Sequence, residues 1–172
     1  MAVPEHAAEL SLEATLAQCC RVMHALGLTD LRGSASARRD ETNFLFAPGE
    51  KPGTDCADEQ DVLTLSLSLG EEVRSAKTRL AKDQALHASI YRHRPDVGGI
   101  VHTCQPWAMV FATAQGSFLP VTHQESDLAL DPAPVWGKGQ LPADDRERAE
   151  FLQQLGKANF CLIPGEGVIV VG

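Results

Sequence analysis

The chain of 172 residues predicts an α/β fold in one domain, a mixed and largely antiparallel sheet covered by helices. Two observations carry this. Segments with helical and strand periodicity alternate along the chain. Several of the connections between apolar runs are only hairpin-short, which favours antiparallel pairing.

Each element follows from local pattern. Pro4 to Leu26 reads as an amphipathic helix, with Leu10, Ala14, Ala17, Val22 and Leu26 near helical spacing and Gly27 as its stop. Gly33-Ser34-Ala35-Ser36-Ala37-Arg38 reads as a turn entering a short strand, and Asn43 to Ala47 as a second strand. Pro48 to Gly53 is a turn cluster. Asp61 to Leu69 alternates apolar and polar residues, as a half-buried strand does. Asp83 to Arg92 is predicted helical and Pro95 ends it. Gly98 to Thr103 is a strand, and Pro106 to Ala114 a helix with proline in its first turn. Phe118 to Pro142 is mostly loop, and Ala143 to Leu155 a charged helix. Phe160 to Ile163 and Val168 to Val171 are strands joined by Pro164-Gly165-Glu166-Gly167.

Composition narrows the function. Hydrophobic residues make up 44% and charged residues 22%, ordinary for a soluble globular protein. The net charge of −8 comes without a basic stripe, which argues against nucleic acid and against anionic membrane. No apolar run approaches a bilayer span. Cys19, Cys20, Cys56, Cys104 and Cys161 form an odd set with no framework spacing, so reduced thiols are expected. The acidic N-terminus lacks an apolar signal core, and a cytoplasmic location is expected.

The candidate chemistry centres on His102 and Cys104. Residues two apart in a strand share a face, and imidazole with thiolate is either a good pair of zinc ligands, although catalytic zinc usually has three, or simply a structural pair. Asp83 and His87 share a helix face, where a carboxylate can serve as general acid or base, or simply as a helix N-terminal charge. Glu166 lies in a Gly-Glu-Gly turn, as ligand, base or plain hairpin residue. His123, Glu125 and Asp127 cluster in a loop, and loops on a scaffold often carry function. No nucleophile elbow, Walker loop or dinucleotide fingerprint is present.

Together these pieces resemble the class II aldolase/adducin domain. The resemblance is most specific from Leu86 to Thr103. It continues in Gly33 to Arg38, Phe118 to Thr122 and Gly167 to Gly172, in the family's order. It implies a three-layer α-β-α sandwich around a mainly antiparallel sheet, as a homo-oligomer (tetramer or dimer). Residues 1–172 then read as one such domain without the family's usual C-terminal helical tail. Active members hold a divalent metal, usually zinc, on three histidines. His102 matches the first, while Cys104 and Glu166 stand at the other two places. Asp83 stands where the family has its catalytic carboxylate, with Glu125 a further catalytic candidate in the loop. The family's phosphate-binding positions carry Ser34, Gly49 with Glu50, and Ala81 with Lys82. Most phosphate donors are therefore gone, and Glu50 would repel an anion. Ser34, Gly49, Lys82 and His87 remain the candidate substrate-binding residues.

The resemblance supports two readings. In one, His102, Cys104 and Glu166 hold zinc, or iron, which polarises the carbonyl of a small hydroxy-carbonyl substrate while Asp83 moves a proton. In the other, the domain is adducin-like, without metal or turnover, and acts in protein assembly.

Overall fold

The computed structural model describes residues 10–29, 33–48, 58–69, 78–114 and 133–172. Helix α1 (Leu12–Ala25) is followed by strands β1 (Ser34–Arg38) and β2 (Asn43–Pro48), a 3-10 turn (Glu59–Asp61) and β3 (Leu63–Ser66). Then come α2 (Arg79–His93), β4 (Gly99–Thr103), α3 (Pro106–Thr113), α4 (Asp145–Leu155), β5 (Phe160–Ile163) and β6 (Gly167–Val171). The six strands form one sheet in the order β3-β2-β1-β4-β6-β5, and every neighbouring pair is antiparallel. This is the sheet expected from the hairpin-short connections.

Both faces of the sheet are covered. On one, Phe44, Phe46, Ile100 and Ile169 pack under Leu86 and Ile90 of α2 and Phe151 of α4. On the other, Leu16, Cys20 and Met23 of α1 pack on Ala35, Leu45 and Ala47. Each fully buried large side chain contributes about 1.5–3 kcal/mol. The alternation along β1 divides the labour. Ala35 faces α1, while Ser34 and Ser36 face α2 and bring hydroxyl groups under a helix.

The structure shifts four boundaries. α1 begins at Leu12, where the Ser11 side chain accepts from Ala14 N–H; residues 4–9 of the expected helix lie outside the described residues. Cys19 is exposed and Cys20 buried, as adjacent helical residues should be. The strand expected over Asp61 to Leu69 is only Leu63–Ser66, because Asp61 closes the 3-10 turn. Leu67 and Leu69 are buried after the strand has ended. α4 begins at Asp145, with Asp144 as its cap. The fourth shift matters most. α2 begins at Arg79, capped by Thr78, so Asp83 sits in its second turn and is buried rather than serving the helix N-terminus.

Candidate active site

Strand pairing places the first polar partners. Ser34 lies directly across from His102 in the β1–β4 ladder. α2 crosses above them and contributes Asp83, His87 and Tyr91, spaced i, i+4 and i+8 along one face. The Ser34 hydroxyl donates to Asp83 Oδ2 at 2.5 Å, and the other carboxylate oxygen receives His102 Nδ1 at 2.9 Å. His87 Nδ1 meets Ser36 Oγ at 2.8 Å, and Ser36 meets the Tyr91 hydroxyl at 2.8 Å. His87 Nε2 lies 3.7 Å from Asp83. Asp83 is 2% exposed and both histidines 0%. Arg38 closes the far end of the row. Its guanidinium stacks on Tyr91 and donates to the Tyr91 and Arg94 carbonyls, tying β1 to the last turn of α2.

Both nitrogens of His102 are engaged. Nδ1 faces Asp83, and Nε2 faces the backbone carbonyl of Glu166 at 3.1 Å. Both partners are acceptors, so each contact is a hydrogen bond where the ring nitrogen facing it carries the hydrogen. The Glu166 carbonyl reaches His102 because the β5–β6 hairpin presses on the end of β4. Gly167 has φ +112°, and a Cβ there would lie 1.9 Å from the Thr103 carbonyl oxygen. Only glycine permits that approach.

The Glu166 side chain turns toward the start of α2. Arg79 Nε donates to Glu166 Oε2 at 3.0 Å, and another Arg79 nitrogen lies 3.4 Å from Cys104 Sγ. The guanidinium therefore bridges two of the three residues expected to hold a metal. The third, His102, has both ring nitrogens occupied, one by Asp83 and the other by the Glu166 carbonyl. Among the described residues, no group of three His, Cys, Asp or Glu side chains is disposed to hold a metal ion. In this arrangement the donor set does not fit a divalent metal. An arginine cannot give up its proton to make room for one.

The electrostatics follow from burial and pairing. Burial pushes the Asp83 carboxyl up, but His102, His87 and the Ser34 hydroxyl outweigh it and hold it below the ordinary carboxylate range. Burial drives His87 down to about 4, more than Asp83 draws it back. Burial raises the Tyr91 phenol to about 12. At neutral pH the cluster holds an ionised Asp83, a neutral His87 and a neutral Tyr91.

The residues expected from the sequence divide clearly. Ser34, Asp83, His87 and His102 share one hydrogen-bonded network. Cys104 and Glu166 meet through Arg79 at its edge. Lys82 is half-buried next to Asp83 along the helix. Gly49, Glu125 and the flanking Glu50, His123 and Asp127 lie outside the described residues. The sequence reading missed Ser36, Tyr91 and Arg79. The first two were detectable, since a Ser-x-Ser strand facing an Asp-x3-His-x3-Tyr helix stripe signals a polar interface. Arg79 gave no local signal, because its partner Glu166 is 87 residues away.

Comparison with known proteins agrees with this architecture. Residues 14–172 match the model of the class II aldolase and adducin N-terminal domain, and the chain belongs to that family. A similar protein is the 3,4-dihydroxyphthalate decarboxylase of Arthrobacter keyseri, 26% identical over 89% of this chain and 66% of the relative. The chain thus spans just under two thirds of that relative's length. L-fuculose-1-phosphate aldolase from Thermus thermophilus superposes with a TM-score of 0.71 at 22% identity, over 92% of this chain and 78% of that one. Sugar-phosphate aldolase from Thermotoga maritima gives 0.64 at 12% identity, over 93% and 84%. These two structures establish the fold. Class II aldolases generally use a divalent metal, commonly zinc.

Proposed function

We propose that this chain is a lyase- or epimerase-type enzyme acting on a small hydroxy-carbonyl compound through an enediolate, as a dimer or tetramer. The observation that supports the reading is the Asp83–His102 pair. The second ring nitrogen of His102 lies against the Glu166 hairpin, where Arg79 supplies a positive charge. C–C cleavage or proton removal beside a carbonyl places negative charge on oxygen, and a fixed cation lowers the cost of that charge. The carbon must then lose or gain a proton. A buried carboxylate held below its ordinary range is a weak base, so Asp83 is the positioning charge. It orients Nδ1, and Nε2 of His102 moves the proton once the Glu166 carbonyl gives way to substrate. Similarity to a decarboxylase supports a substrate with a carboxylate, whose charge complements Arg79. The zinc or iron expected from the sequence has no step here, because its donors are engaged with one another and with Arg79.

A non-catalytic, adducin-like role in assembly is the second reading. It is favoured by the closure of the cluster, in which Asp83 pairs with His102 and Ser34, and His87 with Ser36, almost without solvent exposure. The discriminating experiment is a panel of hydroxy acids and hydroxy ketones, with and without phosphate, assayed for carbon dioxide and aldehyde release. The enzyme reading expects turnover that falls at least about 100-fold in His102→Gln. No product from any compound leaves the second reading standing.

A further inference from the structure

We infer that Arg79 is a built-in replacement for the metal, so that this site is metal-free with Arg79 in place and becomes a zinc site when Arg79 is removed. The inference stands on geometry and does not require turnover. Arg79 lies between Glu166 Oε2 and Cys104 Sγ, donating to both at 3.0 and 3.4 Å. A metal at Cys104 and Glu166 would use the atoms that now receive its hydrogens. A guanidinium and a divalent cation on one carboxylate also repel each other, and only partial solvent is present to screen them, since the two side chains are 25% and 18% exposed.

The replacement also accounts for the chemistry of the residues around it. Glutamate and cysteine are acceptors a guanidinium can bridge, whereas two neutral imidazoles there would each need to turn a lone pair toward it. The third position is settled in the same direction. His102 Nε2 is occupied by the Glu166 carbonyl. The hairpin can come this close because Gly167 lies against the Thr103 carbonyl. Positive charge is kept at the edge of the cluster by Arg79.

Taking Arg79 away leaves a carboxylate and a thiol close together, with an imidazole behind the Glu166 carbonyl. A mixed N/S/O set of that kind is one zinc accepts. The test compares wild type, Arg79→Ala, Arg79→Gln and Arg79→Lys, each purified without chelator and dialysed against zinc. Metal content, melting temperature and the thiolate charge-transfer absorption of cobalt(II) are read on each. Wild type and Arg79→Lys are expected to hold well under one equivalent of zinc, with an unchanged melting temperature. Arg79→Ala and Arg79→Gln are expected to take up about one equivalent. Their melting temperature should rise by roughly 5–10 °C at zinc about a hundredfold above its Kd. The cobalt band should vanish when Cys104→Ser is added. Stoichiometric zinc with a Cys104-dependent band in wild type overturns the inference. So does a folded Arg79→Ala or Arg79→Gln that binds none. Neither result depends on whether the protein turns over a substrate.

Discussion

Acidification from about pH 7.5 to about pH 4.5 is expected to remove about 2.5 kcal/mol of stability through His87 alone. The ring is fully buried between Ser36, Asp83 and Phe46, and burial lowers its folded pKa from 6.5 to about 4. Between those values the unfolded chain binds a proton that the folded chain refuses. Stability is therefore intact above the unfolded value and falls as the pH drops toward the folded one. Each pH unit in that window costs about 1.4 kcal/mol. Asp83 does not interfere, because its folded pKa is lowered from 3.8 and its own stabilisation is lost only below that range. With a urea dependence of about 2 kcal/mol per molar, the midpoint should move by about 1.3 M. The control is His87→Gln, which keeps a polar partner for Ser36 and does not titrate. Urea melts of both proteins at both pH values isolate the contribution. Equal losses in wild type and His87→Gln would refute the account of this cluster.

Three further outcomes follow from the same geometry. Asp83→Ala removes the partner of both Ser34 and His102 inside the core, and urea melts should show a loss of about 3–5 kcal/mol; a loss below about 1 kcal/mol would mean the pair contributes little to the fold. Gly167→Ala forces a Cβ into the Thr103 carbonyl, and calorimetry should show a loss of at least about 2 kcal/mol. Unchanged melting would deny the close approach of the hairpin. Burial raises the Cys161 thiol to about 12, whereas Cys19 is exposed, so mass spectrometry after native alkylation should find Cys19 modified and Cys161 intact until urea is added.

Much of the fold was legible because local pattern and tertiary burial agree. The strands at Ser34, Asn43, Gly99, Phe160 and Gly167 all lie where alternation and turn residues put them. The disagreements have local causes. The leucines from Leu63 to Leu69 alternate, but the last of them bury through a bend after the strand. The start of α2 was missed because Arg79 and Lys82 give its first turn a charged face, and the Thr78 cap is a single residue. That miss changed the chemistry. With Asp83 read as a first-turn residue, a surface charge was a sufficient explanation. In the second turn it is the buried centre of a network built from β1, α2 and β4. The candidate metal ligands were legible one by one, and their common partner was not. Proximity of Arg79 to Glu166 and Cys104 is a product of the whole sheet, and no spacing rule in the sequence encodes it.

The most direct test of the account is solvent-deuterium exchange at the carbon beside the carbonyl of a simple hydroxy ketone, followed by proton NMR in the presence of a strong chelator. Exchange that persists with chelator and disappears in His102→Gln is the predicted result. Exchange that the chelator abolishes and added zinc restores would contradict it.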